Sequence, residues 1–260
     1  MGKEVILLTT HIMSKSIISQ YRALKKSLSE QTDLFFLLED IGAKIIFPED
    51  VQSYIFSVVT LNELHYEAIA ETIIPGSNHF AVLQFFRDFP DYDYYWNLEY
   101  DVYFHGDWRV FFNTFENIDA DFVSAHIEYF RQRPFWHWWN TINFKTVTIP
   151  QTKYIKSFNP IYRISKKALS CLHKVLSEEN SGHHETLIPT VLNNSGFSLL
   201  DYGGNGIFTP PELKNKFYHA PHFFEDYYAD TTMRFRPSFD REEIESTPSD
   251  NKLYHPVKGY

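Results

Sequence analysis

Two carboxylates, Glu99 and Asp101, stand one residue apart near the end of the aromatic run 94–104. In a β-strand, residues i and i+2 point to the same side, so both carboxylates would project together from the strand end. Two acids placed in this way can repel each other, share a proton or hold a hard cation. We interpret the pair as a divalent-cation site, although acidic pairs also end strands without binding a ligand.

A third acid, Glu185, lies in the stretch 183–190, shortly after Gly182. The local pattern places Glu185 in the first turn of a helix. A carboxylate in that position can act as a general base that takes a proton from a hydroxyl group. The alternative is an acid that only interacts favourably with the helix dipole, and the sequence leaves both interpretations open.

Close to the C-terminus, His255 is followed by Pro256 and, two residues later, by Lys258. A tail histidine that folds back could complete a metal site or contact a phosphate, and Lys258 could neutralise phosphate charge. A solvated tail is the alternative. The spacing of His219 and His222 is compatible with metal binding, but a tetrahedral site would need further ligands.

A cluster of rings occupies residues 135–139, with Phe135, Trp136, Trp138 and Trp139. Sugars present apolar C–H faces that stack on aromatic rings, so the three tryptophans could bind a sugar. A hydrophobic lid or a subunit contact would use the same residue types. The sequence does not decide between these roles.

Composition limits the classes of partner. The chain has 260 residues, 18% aromatic residues and a formal net charge of −9. The acidic balance argues against a nucleic-acid partner, and the single cysteine, Cys171, excludes an internal disulfide. The apolar run near the N-terminus is too short for a signal sequence or a membrane span. We therefore expect a cytoplasmic protein whose contact with a membrane is at most peripheral.

The elements that would position these residues follow an α/β rhythm. The apolar runs 5–10 and 33–38 are typical of strands buried on both faces, 17–28 has helical spacing, and 43–47 is a short third strand. This order predicts a mostly parallel central sheet flanked by helices, in a single domain spanning 1–260. Further helices are predicted at 61–73, 78–89, 108–115, 165–176 and 184–192, and further strands at 94–104, 121–126, 160–164 and 198–202, with a long connection at 127–157.

The order of buried strand, polar loop, second strand and then Y-Y-W-N-L-E-Y-D at 94–101 resembles the GT-A fold of nucleotide-sugar glycosyltransferases. In that family a D-x-D signature, sometimes E-x-D, ends the fourth strand, and Glu99 and Asp101 match it. The stretch 184–190 is similar to the E-x-x-x-P-T segment of branching N-acetylglucosaminyltransferases and their bacterial relatives. His255 resembles the C-terminal histidine that joins the metal site in several GT-A enzymes.

This resemblance implies a Rossmann-like GT-A fold and a metal-dependent, inverting glycosyltransferase that uses Mn²⁺ or Mg²⁺. The expected donor is a nucleotide-diphosphate sugar such as a UDP-sugar. Glu99 and Asp101 would hold the metal and the diphosphate, with Asp101 as the direct ligand and Glu99 acting through water or the ribose. Glu185 would be the catalytic base, and His255 and Lys258 would close over the diphosphate.

The resemblance also divides the chain into a nucleotide-binding half, 1–110, and an acceptor-binding half with a C-terminal tail, 111–260. The acceptor would be a glycan or a lipid-linked sugar. The remaining assignments are Thr9, Thr10 and His11 as the loop that touches the nucleotide, Trp136, Trp138 and Trp139 as the acceptor site, and Glu39, Asp40, Glu49 or Asp50 as the acid that binds the base.

Two other functions stay open at this point. A metal-dependent phosphodiesterase or hydrolase would need a second cluster of His and Asp ligands for another metal, and the sequence shows no clear one. A non-catalytic carbohydrate-binding protein of the same fold would need the rings but not the carboxylates.

Overall fold

The structure, a computed structural model, describes residues 2–40, 42, 47–71, 76–220 and 231–259. The strands are β1 Glu4–Thr10, β2 Thr32–Glu39, β3 Ser53–Phe56, β4 Tyr94–Glu99, β5 Tyr103–Phe104, β6 Phe122–Tyr129, β7 Ile155–Ser165, β8 Leu199–Asp201, β9 Phe239–Asp240, β10 Leu253–Tyr254 and β11 Val257–Lys258. The α-helices are α1 Lys15–Ser27, α2 Val58–Asn62, α3 His79–Asp88, α4 Trp108–Phe115, α5 Lys166–Ser177, α6 His184–Asn194 and α7 Arg241–Glu245. Within this part of the chain, no helix combines the length and the apolar character needed to cross a bilayer.

A seven-stranded sheet forms the centre, in the order β3-β2-β1-β4-β7-β6-β8. Strand β7 runs antiparallel to both of its neighbours, β4 and β6, and the other neighbouring pairs are parallel. The carboxyl ends of β1 and β4 therefore meet at one edge, where Thr9 pairs with Glu99. The start of β7 reaches the same edge because Leu98 pairs with Ile161. The predicted mostly parallel α/β sheet flanked by helices is confirmed.

Apolar side chains leave both faces of the central strands, which is why helices cover the sheet on two sides. On β1, Ile6 and Leu8 face a layer that contains α1 and α4, whereas Val5 and Leu7 face α3, α5 and α6. Burying a large aliphatic side chain stabilises a fold by about 1.5–3 kcal/mol, so the packing on both faces stabilises the sheet. The carboxyl edge of the sheet is left to polar side chains.

Most predicted elements lie where the sequence placed them, and two regions differ. The predicted helix 61–73 is wrong over the described residues 63–71, which contain no helix. Helix α2 begins earlier because Ser57 and Thr60 form a capping box, in which each side chain accepts from the other residue's N–H. The predicted third strand lies almost wholly outside the described residues, and the short edge strand β3 was not predicted.

The C-terminal tail is tied to the body of the protein by backbone hydrogen bonds. The N–H groups of Leu253, His255 and Val257 donate to the carbonyls of Phe217, Thr232 and Asp101, at 2.7, 2.9 and 2.9 Å. Strand β10 also pairs with β5, which follows the acidic pair. The solvated-tail alternative is therefore excluded, and the tail returns to the end of β4.

Candidate active site

Glu99, Asp101 and His255 form one cluster at the carboxyl edge of the sheet. The Nε2 atom of His255 lies 3.6 Å from Glu99 Oε2 and 3.5 Å from Asp101 Oδ1. Glu99 is the last residue of β4, and Asp101 lies in the turn that the Val102 N–H closes on the Glu99 carbonyl at 3.0 Å. The two carboxylates thus converge through a turn, and not through the strand alternation that the sequence suggested.

The histidine of this cluster is oriented by the backbone. Its Nδ1 contacts the Arg234 carbonyl at 2.8 Å, which leaves Nε2 directed at the carboxylates. Burial lowers the pKa of His255, but Asp101 and Glu99 outweigh that effect and raise its pKa to about 9. Burial likewise raises the pKa of Asp101, and the charge and contact of His255 leave it below the usual value. The imidazole and the two carboxylates therefore form an ion-pair cluster.

The donor set fits a divalent metal ion. One atom from each of the three residues lies within 4.8 Å of the others. Adjacent ligands of a hexacoordinate ion with bonds of about 2.1 Å lie roughly 3 Å apart, so little movement would be needed. Two carboxylates with one imidazole suit Mn²⁺, whereas Mg²⁺ favours an all-oxygen set. Binding would require a neutral His255 with Nε2 unprotonated, and its Nδ1–H bond to Arg234 already favours that tautomer.

The loop after β1 lies beside this cluster. Thr9 is the register partner of Glu99, and the Tyr100 N–H donates to the Thr9 carbonyl at 3.0 Å. The Thr10 hydroxyl is buried and donates to the Ile12 carbonyl at 2.6 Å, so it shapes the turn. His11 is exposed and its ring meets the edge of Tyr100 at 5.4 Å. The predicted nucleotide loop is therefore next to the acidic pair.

Lys258, on β11, is exposed, and its charge contributes to lowering the pKa of Asp101. Among the acids considered for base binding, Asp50 is held by Arg22 through bonds of 2.7 and 2.8 Å. Asp40 accepts from the Gly42 N–H at 2.8 Å, and Glu39 ends β2. Asp50 is therefore already paired with Arg22. Which acid binds the base of the nucleotide stays a prediction.

Glu185 lies in the first turn of α6, as predicted, but it is buried, with only 7% of its surface exposed. The helix is capped by His183, whose Nδ1 accepts from the Glu185 N–H at 3.3 Å and lies 3.9 Å from Glu185 Oε2. Pro189 stands four residues later and has no N–H, so it cannot supply the usual helical partner of the Glu185 carbonyl. The cap therefore binds the N–H of Glu185, and the proline leaves the carbonyl of the same residue without its usual helical partner.

Burial raises the pKa of Glu185 to about 7, and the positive charge of Lys156 partly offsets this. An acid that titrates near neutral pH can both take up and release a proton under working conditions. A first-turn acid whose only role is to interact with the helix dipole would be expected at the surface with an ordinary pKa. The environment of Glu185 favours the general-base interpretation.

Two adjacent residues of β7 join the acidic cluster to Glu185. The ring of Phe158 packs edge-on against His255 with centroids 5.3 Å apart. The N–H of the next residue, Asn159, approaches Glu185 Oε1 at 3.4 Å. Glu99 and His255 are close enough for their charges to act on the pKa of Glu185. Two adjacent residues of β7 therefore connect a candidate metal site and a candidate base.

The predicted ring cluster separates into two roles. Trp136 is half-buried with its ring 4.7 Å from the Lys156 ammonium, and Trp138 is half-buried against His183. Trp139 is 2% exposed, and its indole N–H donates to the Arg133 carbonyl at 2.7 Å. We correct its assignment: Trp139 packs against Phe130 and Tyr154 and offers no ring face to a ligand.

Several site residues were missed from the sequence. Lys156 is fully buried, with its ammonium 3.4 Å from Glu128 and donating to the His126 carbonyl at 3.2 Å. Asn159 and Phe158 were missed because β7 begins five residues before the predicted strand. The stretch 155–159 mixes apolar and polar residues, and no local signal marks it as the start of a strand. His222 of the predicted histidine pair lies outside the described residues.

No protein-family model matches this chain, and no curated protein sequence matches it. Among solved structures, one similar chain is a Bacillus anthracis protein assigned as a glucose-1-phosphate thymidylyltransferase, in complex with sucrose. It shares 14% identity at a TM-score of 0.43, over 76% of this chain and 86% of that chain. A second is a glycosyltransferase involved in glycosylation of the major capsid of PBCV-1, with 11% identity and a TM-score of 0.32 over 67% and 65% of the two chains. At these scores neither likeness identifies the activity of this chain.

Proposed function

We propose that this protein is a metal-dependent glycosyltransferase of the GT-A type. It would move a sugar from a nucleotide-diphosphate donor, expected to be a UDP-sugar, to a glycan or lipid-linked acceptor. The observation that carries the proposal is that two adjacent residues, Phe158 and Asn159, contact His255 and Glu185 respectively. It places the cluster of Glu99, Asp101 and His255 next to a buried carboxylate of near-neutral pKa.

In this proposal the nucleotide half, 1–110, supplies the loop Thr9–His11 and the acidic pair, and the rest of the chain supplies the base and acceptor site. Glu99 and Asp101 hold the metal with His255, and Lys258 faces the diphosphate. A bound Mn²⁺ or Mg²⁺ would neutralise charge on the departing nucleoside diphosphate. The acceptor would stack on Trp138 and Trp136, beside Glu185.

The reaction is a single displacement with inversion. The oxygen of the acceptor hydroxyl forms a bond to the anomeric carbon while that carbon's bond to the diphosphate oxygen breaks. The nucleoside diphosphate leaves with the bonding electrons, and the hydroxyl proton passes to the Glu185 carboxylate. A raised pKa suits this step because a more basic carboxylate takes the proton more readily.

The rival functions fit the geometry less well. A two-metal phosphodiesterase needs two ions about 4 Å apart, and the described residues contain a single group of three potential ligands. A pure carbohydrate-binding protein gives no reason to bury Glu185 with a raised pKa, because an ionised carboxylate in that site costs stability.

The direct test is thermal unfolding with a panel of nucleotide sugars, each with and without Mn²⁺. Ligands that bind the folded state raise its melting temperature by mass action. We expect one donor class to stabilise the protein, and only when Mn²⁺ is present. Stabilisation by free sugars alone would favour the carbohydrate-binding alternative, and metal-independent stabilisation by the donor would contradict the assigned metal site.

A further inference from the structure

Basic and aromatic residues are concentrated in the long connection beside the site. Residues 127–157 contain five Lys or Arg and one Glu, a formal charge of +4 in a chain of −9. Residues 231–237 add Arg234 and Arg236 with no acid. Arg133 and the buried Lys156 pair with Glu128, and Lys145 pairs with Glu67 and Glu179. The positive charge that these two segments add to the surface therefore comes from Arg131, Lys153, Arg234 and Arg236.

Each segment exposes a phenylalanine at a turn. Phe135 follows Pro134 and is 97% exposed, and Phe235 is 66% exposed. Arginines accompany both: the Arg131 guanidinium lies 5.6 Å from the Tyr129 ring, and that of Arg236 lies 5.7 Å from the Phe235 ring. Large exposed rings are costly in water, so these two rings, each with an arginine in its own segment, indicate a partner that accepts both rings and arginines.

Side-chain contacts connect both turns to the candidate active site. Trp136, next to Phe135, covers the Lys156 ammonium, which donates to the His126 carbonyl. The His126 imidazole contacts the Met233 carbonyl at 2.8 Å, two residues before Phe235. His126 lies on β6 at the carboxyl edge of the sheet. The two turns therefore flank one region around the site.

We propose that the two turns, 131–136 and 234–236, form a docking surface for an anionic membrane that carries the lipid-linked acceptor. Phenylalanine side chains enter the boundary between headgroups and acyl chains, and arginines pair with the anionic headgroups. The rest of the chain carries a net negative charge and is repelled by the anionic membrane. This repulsion keeps the site directed at the lipid. Only the acceptor's identity rests on the proposed function.

Charge favours this partner over a soluble polysaccharide. An uncharged glycan would stack on the rings but would give the arginines no counter-charge. An anionic lipid layer buries the rings and also pairs with the arginines. A bilayer also explains why the rings stand at turn tips, which penetrate a surface more easily than a flat platform does. The described chain has no spanning helix, so such binding would be peripheral.

The test is co-sedimentation of the full chain with phosphatidylcholine vesicles, plain or with about a third phosphatidylglycerol. We expect binding only to the anionic vesicles, and release at high salt, where charge interactions are screened. The double variant Phe135→Ser/Phe235→Ser should bind at least about ten-fold more weakly, since both rings lose their burial. Arg131→Gln/Arg236→Gln should weaken binding by roughly five-fold for each charge removed.

The opposite edge of the sheet provides matched controls. Ile55 on β3 and Val59 on α2 are 50% and 74% exposed, and β3 is the far edge strand. Ile55→Ser/Val59→Ser should leave vesicle binding unchanged, as should Lys25→Gln/Lys26→Gln on the exposed end of α1. The proposal is overturned if the wild-type chain ignores anionic vesicles, or if the control variants lose as much binding as the phenylalanine variant.

A second readout separates the docking surface from the proposed enzyme. Slow hydrolysis of the donor, with water as acceptor, needs the catalytic centre but no membrane. Vesicle binding without any donor turnover would reject the proposed function and retain the docking surface. Donor turnover without vesicle binding would retain the proposed function and reject the docking surface. If Phe135→Ser/Phe235→Ser impairs only transfer to a soluble glycan, the membrane assignment is wrong.

Discussion

The imidazole of His183 lies parallel to the indole of Trp138, with ring centroids 4.2 Å apart and planes inclined by 12°. The same imidazole caps α6 through its contact with the Glu185 N–H. Thr141 strengthens the link, because its hydroxyl donates to the Trp138 carbonyl and accepts from the His183 N–H. His183 therefore covers one face of Trp138. Through His183, the ring that would stack on an acceptor is connected to Glu185, the candidate base.

His183 should consequently act as a positioning residue. In His183→Asn, the amide oxygen can still cap the helix, but the ring stack is lost. We expect the KM for the acceptor to rise about ten-fold, with the donor affinity unchanged and only a small loss of stability. His183→Ala removes the cap as well and should also lower the melting temperature. Steady-state kinetics with varied acceptor and donor check both variants.

A double-mutant cycle with Trp138→Leu tests whether the stack is the cause. If Trp138 and His183 act as one unit, the second substitution should add little to the first, because interacting residues are not additive. A purely structural role for His183 predicts a different result. In that case kcat would fall in proportion to folded protein, and the acceptor KM would not move.

Asp101→Asn should weaken Mn²⁺-dependent donor binding by more than about 100-fold, because the change removes a charged ligand of the site. Isothermal titration of the donor, with and without Mn²⁺, measures this. Asp107→Asn is the matched control: Asp107 is a partly exposed helix cap paired with Arg109, and asparagine is also a good cap. Equal donor binding by Asp101→Asn and the wild-type protein would remove the metal cluster from the proposal.

The sequence indicated which residues form the candidate cluster better than it indicated the residues around them. Glu99 and Asp101 could be proposed from residue type and position, because the end of a parallel strand is a known place for ligands. His255 could be proposed from its place in the C-terminal tail. Trp139 was misplaced because a run of rings does not reveal which ring points inward. Burial of that ring depends on how residues 137–141 pack against the body.

Other parts of the site depend on contacts between distant segments. Lys156 and Asn159 belong to β7, the one antiparallel strand among the seven, and its early start inside a polar stretch has no local signal. The approach of Trp138 to His183 joins residues 45 positions apart in the chain. Hydrophobic periodicity reports which face of an element is buried, but not which elements meet at an edge.

Glu185→Gln should abolish transfer and leave the donor bound. Loss of a general base costs about 10²–10⁴-fold in rate, whereas the neutral amide preserves the shape of the pocket. The first-turn acid Glu242 on α7 is exposed and provides the control, Glu242→Gln. Radiolabelled transfer measures turnover, and thermal shift with donor and Mn²⁺ measures binding. Turnover within about three-fold of wild type would show that Glu185 is not the base.

The pH dependence of transfer follows from the same residue. The base must be ionised, and burial raises the pKa of Glu185 to about 7. We expect kcat/KM for the acceptor to rise as the pH increases through about 7 and then to level off. Lys156 lowers this pKa, so Lys156→Met should move the rise to higher pH. A rise centred near pH 4.5 would contradict the buried-base assignment.

Stability measurements distinguish a buried base from a helix-dipole acid without any assay of activity. The pKa of Glu185 is raised in the folded state, from 4.5 to about 7. Its favourable contribution is therefore complete below pH 4.5 and is lost as the pH rises through about 7. At pH 8 the buried charge costs up to about 3 kcal/mol, at 1.36 kcal/mol for each pKa unit.

Glu185→Gln should accordingly stabilise the metal-free protein at pH 8, and the gain should shrink towards pH 5. Urea unfolding at both pH values measures the difference. Glu242→Gln, which removes an exposed first-turn acid, should instead lose about 0.3–1 kcal/mol. If Glu185→Gln behaves like Glu242→Gln at pH 8, Glu185 stabilises the helix end and the case for a poised base fails.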